Sequence, residues 1–298
     1  MHFDNREDIM AITQLWKGER FPDGRPKVPD AHLEALYGMT MEEVWRFVFQ
    51  NGYQFQFEGA LRIMHSGKKL IGRAVTCNFC PARPDLNDVM TETGRKEGRI
   101  GVYNQWVVDS LQEHDVIVAD MFDKIYKGTF LGGNLTTAIA KKTKDGGAVV
   151  WGGIRDIEQM KRIDSVQVYY RGIDPTPIRD FTMTGFNTPT TIGQAICLPG
   201  DIVFGNDAGV LFIPSHLVAG AVNGAAKAHV KDIFGFEMLS NSTFTTAQID
   251  LAVWPKEMLD LMMEFIRTDE RCAKYRSIDW SEEYTRAEQE AGSMESAL

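Results

Sequence analysis

Two short segments contain residue types that bind carboxylates and metal ions. The first is a glycine-rich turn placed directly before a helical pattern, and its residues are Gly132, Gly133, Asn134 and Leu135. Backbone N–H groups at a helix N-terminus attract anions, so this turn predicts a carboxylate or phosphate site. The second segment is Arg155-Asp156. Arginine binds carboxylates or a developing oxyanion, and an aspartate oxygen binds hard cations such as Mg²⁺.

The elements around these segments predict that the two segments meet. Short apolar runs at 116–119 and 148–151 are typical of buried strands, and helical patterns near 101–112 and 134–144 alternate with them. This alternation predicts an α/β sheet, in which ligands bind beyond the carboxyl ends of the strands. Gly152-Gly153 stands at one such end, where glycines allow the backbone to approach a ligand closely. We therefore expect both segments to face one crevice.

Each segment also has a purely structural interpretation. Adjacent arginine and aspartate residues often form surface ion pairs, and Arg179-Asp180 is a second such pair without flanking glycines. Asn134 is among the residues that most favour the N-cap of a helix. The residues alone leave the functional and the structural interpretations open.

The chain divides into three stretches by pattern. Residues 1–69 form a helical N-terminal extension, and a capping box from Thr40 to Glu43 predicts the start of one of its helices. Residues 70–214 form an α/β core that ends in strands without helices, at 191–197, 201–204 and 209–213. Residues 215–298 form a helical C-terminal extension with apolar positions at helical spacing from 254 to 266.

Charge and composition exclude several classes of function. There are 32 Lys and Arg against 41 Asp and Glu, so the net charge of −9 argues against a nucleic acid or an anionic membrane as partner. No apolar run is long enough to span a bilayer, and the first eight residues do not resemble a secretion signal. We expect a cytoplasmic protein. Its four cysteines should then stay reduced. Cys77 and Cys80 form a CxxC pair, but no second pair of ligands accompanies them, so we expect ordinary strand and loop cysteines there and not a zinc site.

The stretch from about residue 70 to residue 214 resembles the RraA-like family. That family includes the regulators of ribonuclease activity and the class II aldolases of 4-hydroxy-4-methyl-2-oxoglutarate. The matching pieces occur in the family's order and are Leu70–Thr76, Asp115–Asp120, Gly132–Leu135, Val149–Asp156, Tyr170–Gly172 and Leu198–Pro214. The resemblance implies an α/β fold of the swivelling β/β/α layered type. It also implies a homotrimer or a hexamer with sites between the subunits.

The resemblance assigns roles to the two segments. In the family's aldolases, an acidic residue precedes an Arg-Asp pair, and twenty residues lie between them. Here twenty residues, 135–154, lie between Asn134 and Arg155. Arg155 would contact carboxylate or enolate oxygens of the substrate, while the turn's backbone binds its carboxylate. Asp156 would bind the divalent metal, Mg²⁺ or Mn²⁺. Asn134 replaces the family's acid without its negative charge, so either metal affinity falls or the base role moves to another group.

The neighbouring subunit of a family aldolase also lends an acidic residue, for which Glu237 is the candidate here. The resemblance thus predicts a metal-dependent lyase that cleaves or decarboxylates a 2-oxo acid of the 4-hydroxy-4-methyl-2-oxoglutarate type through a metal-bound pyruvate enolate. Two alternatives remain. One is a non-catalytic regulatory binding protein of the same family, and the other is a related lyase or hydratase that acts on a sugar-acid-like substrate.

Overall fold

The computed structural model describes residues 4–295, which fall into two compact units that divide between Val222 and Asn223. The first unit begins with three helices and two short strands: α1 (Arg6–Ile12), α2 (Asp30–Tyr37), α3 (Met41–Gln50), β1 (Phe57–Glu58) and β2 (Arg62–Ile63). The capping box expected before α3 is present. The Thr40 hydroxyl accepts a hydrogen bond from the Glu43 N–H, and the Glu43 carboxylate accepts one from the Thr40 N–H at 2.7 Å.

The rest of the first unit alternates strands and helices. Its central elements are β3 (Leu70–Pro81), α4 (Pro84–Lys96), α5 (Tyr103–Ser110), β4 (Asp115–Leu131), α6 (Gly133–Thr143), β5 (Gly147–Ile154), α7 (Ile157–Met160) and β6 (Gln167–Ile173). The strands that follow are β7 (Phe181–Phe186), β8 (Thr190–Ile192), β9 (Ala195–Cys197), β10 (Ile202–Asn206) and β11 (Gly209–Ile213). The strands and helices predicted between residues 70 and 214 are therefore confirmed, and the apolar run at 191–197 is a hairpin of two short strands.

One sheet organises this unit, in the order β1-β11-β10-β3-β4-β5-β6-β2, with β7 beside the end of β3. The four central strands, β3 to β6, run parallel, and the outer strands pair antiparallel. The predicted α/β class is confirmed. In β5, Ala148 and Val150 pack with α5 and α6, whereas Val149 packs with residues of β6 and β11 on the opposite face. Burial on both faces explains why the central strands read as continuous apolar runs.

Strand β4 leaves the regular ladder near its carboxyl end. Asp120 pairs with Trp151 of β5, yet the next two β5 residues pair with Lys124 and Thr129, so residues 121–128 form an excursion. Within it Phe122, Asp123 and Lys127 have positive φ angles, which are uncommon for non-glycine residues and least unusual for aspartate.

The excursion explains the two glycines at the end of β5. A Cβ atom on Gly152 would lie 2.9 Å from the carbonyl oxygen of Lys124, and one on Gly153 would lie 2.9 Å from the carbonyl oxygen of Ile125. Both distances are shorter than Cβ atoms and carbonyl oxygens keep in real proteins. Gly152 and Gly153 therefore allow residues 121–125 of β4 to approach β5 closely, which is a reason for these glycines that the sequence did not reveal.

A buried ion pair anchors the N-terminal segment to the start of β4. The guanidinium of Arg25 makes two hydrogen bonds to the Asp115 carboxylate, at 2.9 and 3.0 Å, and a third to Asp23 at 2.7 Å. The side chains of Arg25 and Asp115 are almost completely inaccessible to solvent. Charges taken out of water in this way need these partners, because a single buried charge is strongly unfavourable.

The second unit is helical. From Asn223 it contains the remainder of α8 (Val218–Ser240), then α9 (Thr246–Ile249), α10 (Lys256–Thr268) and α11 (Ser281–Glu295). The amphipathic pattern predicted at 254–266 corresponds to α10, whose Met258, Leu259 and Met262 are buried with Phe234 and Trp254. No helix in the part of the chain that the structure describes is long and apolar enough to cross a membrane.

Candidate active site

The two predicted segments meet at the carboxyl edge of the sheet. The Arg155 N–H, just beyond β5, donates to the carbonyl of Leu131 at the end of β4 at 3.0 Å. On the other side of β5, the Asp174 N–H donates to the Ile154 carbonyl at 3.1 Å. The ends of β4, β5 and β6 therefore lie side by side, which is where parallel sheets place their ligands.

Asp156 connects the two segments directly. Its Oδ2 atom accepts a hydrogen bond from the N–H of Gly133, the first residue of α6, at 3.2 Å, and lies 3.3 Å from Nη1 of Arg155. Asp156 adopts a left-handed conformation, with φ of 56°, just before α7. Aspartate tolerates this conformation better than most residues. Both charged side chains remain partly accessible, with 39% of Arg155 and 29% of Asp156 exposed.

Gly132 makes this approach possible for a steric reason. Its backbone is extended, with φ of −148°, so the conformation itself does not require glycine. A Cβ atom at this position, however, would lie 2.5 Å from Oδ2 of Asp156 and 3.1 Å from Cγ of Arg155. At Gly133 a Cβ atom would instead meet Oε1 of Gln159, the mobile end of an exposed side chain.

Asn134 does not cap helix α6. The N-cap is Gly132, and Asn134 is the second residue within the helix. The capping interpretation is therefore wrong, because the helix begins two residues earlier than the sequence pattern indicated. The Asn134 side chain is exposed and makes no hydrogen bond to any residue between 4 and 295. Leu135 packs its side chain against the core, so only its backbone N–H is available to a ligand.

Glu237 lies in the second unit, on α8, and its Oε2 atom accepts a hydrogen bond from Arg271 at 2.9 Å. The carboxylate is 40% exposed. The role of Glu237 in a site shared between subunits stays a prediction.

Comparison with known proteins agrees with this architecture. Residues 28–212, more than half of the chain, match the RraA-like family model described as Aldolase/RraA. The chain belongs to the Aldolase/RraA family. That family contains both aldolases and regulators. The resemblance found from the sequence motifs is confirmed.

Solved structures with this fold have low sequence identity to the chain. An uncharacterised protein from Pseudomonas syringae pv. tomato superposes with a TM-score of 0.60 at 17% identity, covering 76% of this chain and 100% of that protein. Streptomyces coelicolor RraAS2, described as an unusual member of the RNase ES inhibitor RraA protein family, superposes with a TM-score of 0.58 at 19% identity, covering 73% of this chain and 100% of RraAS2. These likenesses show a shared fold.

Among curated proteins, the chain is similar to Protein DlpA of Legionella pneumophila. The two are 28% identical over 172 residues, which is 55% of this chain and 24% of DlpA. The chain therefore matches about a quarter of the length of DlpA, and both proteins contain residues outside the matched region.

One carboxylate oxygen at this edge of the sheet makes no hydrogen bond to the described residues. Among the described residues no group of three or more His, Cys, Asp or Glu side chains could hold a metal. Asp156 Oδ2 is engaged by Gly133 and Arg155, whereas its Oδ1 atom makes no hydrogen bond to the described residues. Mg²⁺ commonly keeps several waters and takes only one or two protein carboxylates, so one free carboxylate oxygen suits it.

The loop between β6 and β7 also belongs to this edge, and the sequence analysis missed it. After Asp174, the Thr176 hydroxyl accepts a hydrogen bond from the Lys127 N–H at 2.7 Å, and the Arg179 N–H donates to the Lys127 carbonyl at 2.8 Å. The loop then reaches the end of β3, where the Asp180 carbonyl accepts from Ala82. It thus passes the ends of β5, β4 and β3 in turn. No motif in the sequence connects residues 174–180 with Gly132 or Arg155.

Proposed function

We propose that this protein is a divalent-metal-dependent lyase that cleaves or decarboxylates a 2-oxo acid of the 4-hydroxy-4-methyl-2-oxoglutarate type. The observation that carries the proposal is the contact of Asp156 with both Arg155 and the N-terminus of α6. The carboxyl edge of the parallel sheet thus brings together the Arg155 guanidinium, a free carboxylate oxygen of Asp156 and the N–H groups at the start of α6. Membership of a family that contains aldolases supports the same conclusion.

The residues of the site suit the charge changes of this reaction. The guanidinium of Arg155 would bind a substrate carboxylate and stabilise the negative charge that develops when the carbon–carbon bond breaks. The N–H groups of Asn134 and Leu135, near the start of α6, would bind the carboxylate next to the oxo group. Asp156 would hold the metal, which supplies Lewis-acid polarisation of the oxo group when bound. The Asn134 amide would donate or accept a hydrogen bond without adding charge.

The proposal includes an oligomer. Family members are often oligomeric, and we propose a homotrimer or a hexamer in which a neighbouring subunit completes the site, with Glu237 as the candidate residue. Sedimentation equilibrium at micromolar protein concentration is expected to give at least three times the 33.5 kDa chain mass. A single species at the chain mass would contradict this part of the proposal.

Two aspartates of this chain provide a matched test of the metal site. Asp156 and Asp180 both follow an arginine and both have a positive φ angle, but Asp180 is paired with Lys127 instead. Pyruvate release from 4-hydroxy-4-methyl-2-oxoglutarate is measured with Mg²⁺ or Mn²⁺, and again with a chelator. We expect metal-dependent turnover that is lost in Asp156→Asn and retained in Asp180→Asn. The Asn134→Asp variant is expected to bind Mn²⁺ more tightly, because it restores a negative charge near the ion.

Two observations favour a second candidate function, a regulatory binding protein of the same family. Asn134 is neutral, and the described residues offer a metal no group of three acidic, histidine or cysteine ligands. Calorimetry with Mn²⁺ distinguishes the two functions. Binding that disappears in Asp156→Asn supports the lyase even before its substrate is identified. If neither metal binding nor turnover is detected in the wild-type protein, the regulatory function is favoured.

A further inference from the structure

A recess of about 280 Å³ lies in the first unit, between the end of α1 and the segments that follow β9 and β11. Its walls are largely aliphatic, and the side chains that form them are Ile12, Leu15, Ile196, Leu198 and Pro214. A cavity of about 150 Å³ is large enough to bind benzene. This recess therefore has room for a small organic molecule with an apolar body.

Gln56 presents a hydrogen-bond acceptor to this recess. The residue is only 4% exposed, and its Nε2 atom donates to the carbonyls of Ile196 and Phe212 at 3.1 and 2.8 Å. These two bonds fix which end of the amide carries the oxygen. The Oε1 atom makes no hydrogen bond to the described residues, yet it keeps access to solvent, as a fully enclosed atom would not. A donor group of a ligand in the recess can therefore reach Oε1.

Ser215 presents a second polar group of this kind. The residue is 4% exposed, and its hydroxyl also makes no hydrogen bond to the described residues and is not enclosed. Beside it, the Tyr53 hydroxyl and Nε2 of His216 lie 3.0 Å apart and satisfy each other. Burial lowers the pKa of His216, so its ring is neutral near pH 7 and adds no positive charge to the recess.

The only acidic side chain among the described residues that line the recess is that of Asp201. Its carboxylate accepts hydrogen bonds from the N–H groups of Leu198 at 2.8 Å and Ser215 at 3.2 Å. The described lining contains no lysine or arginine, and burial raises the pKa of Asp201 to about 7. A cation in the recess would stabilise the ionised carboxylate, because charges interact strongly where water is excluded.

We infer that this recess binds a small organic ammonium ion, a primary amine on an aliphatic body. An ammonium group has three donors and no acceptor, which matches the accessible acceptors Gln56 Oε1 and Ser215 Oγ and the negative charge of Asp201. The aliphatic walls contact the body of the molecule. A carboxylate of the same shape is excluded by repulsion from Asp201. The inference is independent of the proposed function, because Arg155, Asp156 and the start of α6 do not line this recess.

Cyclohexylmethylamine is a suitable probe, and cyclohexylmethanol is its neutral counterpart of nearly the same shape. An alkylamine stays protonated at neutral pH, as does the lysine side chain with its pKa of about 10.4. Calorimetry with the wild-type protein compares the two compounds. We expect the amine to bind about tenfold or more tightly than the alcohol, because only the amine adds a charge-assisted interaction. Equal Kd values for the two compounds, or no binding of the amine at millimolar concentration, overturn the inference.

Three variants test whether the amine binds in this recess. We expect the Kd for cyclohexylmethylamine to rise about tenfold or more in Asp201→Asn and about fivefold in Ser215→Ala. Asp85→Asn is the control at an exposed aspartate and should leave the Kd unchanged. Because the Ser215 hydroxyl makes no hydrogen bond to the described residues, Ser215→Ala should fold like the wild type. A Kd that is unchanged in both Asp201→Asn and Ser215→Ala overturns the inference. If Asp201→Asn does not fold, an unchanged Kd in Ser215→Ala overturns it alone.

Discussion

The Oδ2 atom of Asp156 lies 3.2 Å from the backbone nitrogen of Gly133, 23 residues earlier in the chain. This hydrogen bond joins the end of β5 to the start of α6. It satisfies one of the N–H groups that a helix N-terminus leaves without a partner, and it orients the carboxylate at the sheet edge. The catalytic proposal depends on this orientation.

Replacing Gly132 with alanine tests that orientation. The new Cβ atom would lie 2.5 Å from Oδ2 of Asp156, so the carboxylate must move away from α6. We expect Gly132→Ala to lower Mn²⁺ affinity and kcat by about tenfold or more, because small displacements of catalytic groups have large effects. Unchanged Mn²⁺ affinity and kcat in Gly132→Ala would contradict the assigned role of Gly132.

The excursion of β4 predicts a stability effect at Gly153. A Cβ atom there would lie 2.9 Å from the carbonyl oxygen and 3.2 Å from the Cα atom of Ile125, and backbone atoms cannot move aside easily. We expect Gly153→Ala to lower the free energy of unfolding by about 1–3 kcal/mol, measured by urea denaturation. Gly133→Ala is the control for stability, because its Cβ atom would meet only the end of the exposed Gln159 side chain. An unchanged midpoint for Gly153→Ala would show that the excursion can shift without cost.

The buried ion pair of Arg25 and Asp115 predicts a larger loss of stability. In Asp115→Asn the Arg25 guanidinium would keep its charge and its burial but lose the carboxylate that makes two hydrogen bonds to it. We expect the free energy of unfolding to fall by about 3–5 kcal/mol in urea denaturation. Asp85→Asn removes the partner of the exposed Arg83 and should not change the midpoint measurably.

Asp201 predicts a dependence of stability on pH. Burial raises the pKa of its carboxyl group to about 7, although the N–H groups of Leu198 and Ser215 donate to it. The unfolded group titrates near pH 3.9, so the folded state alone holds this proton between about pH 4 and about pH 7. Its contribution to stability is complete below about pH 4 and is lost as the pH rises towards 7.

Asp201→Asn removes this titration while keeping an amide oxygen as acceptor. We expect the wild-type protein to lose stability relative to Asp201→Asn by up to about 1.4 kcal/mol per pH unit between about pH 5 and about pH 6.5. Urea denaturation of both proteins across this range measures the difference. Parallel pH profiles for the two proteins would show that Asp201 keeps an ordinary pKa.

The sequence by itself determined the class of fold and the presence of two polar segments at the carboxyl edge of the sheet. Alternating apolar runs and helical patterns identified β4, α6 and β5, because burial of a strand or a helix face leaves a local signature in the chain. The glycine turn and Arg155-Asp156 could be assigned to one sheet edge from the same pattern, since parallel strands place their carboxyl ends together.

Only the tertiary structure decided how these residues contact one another. The N-cap of α6 is Gly132 rather than Asn134, and Asp156, from a distant part of the chain, accepts a hydrogen bond from the first N–H of that helix. Gly152 and Gly153 admit the β4 backbone, and Gln56 and Ser215 line one recess although they are distant in the sequence. Such contacts depend on strand order, register and the path of an irregular segment. Residue type and spacing along the chain do not predict these contacts, because packing between elements that are distant in the sequence sets the distances between the residues.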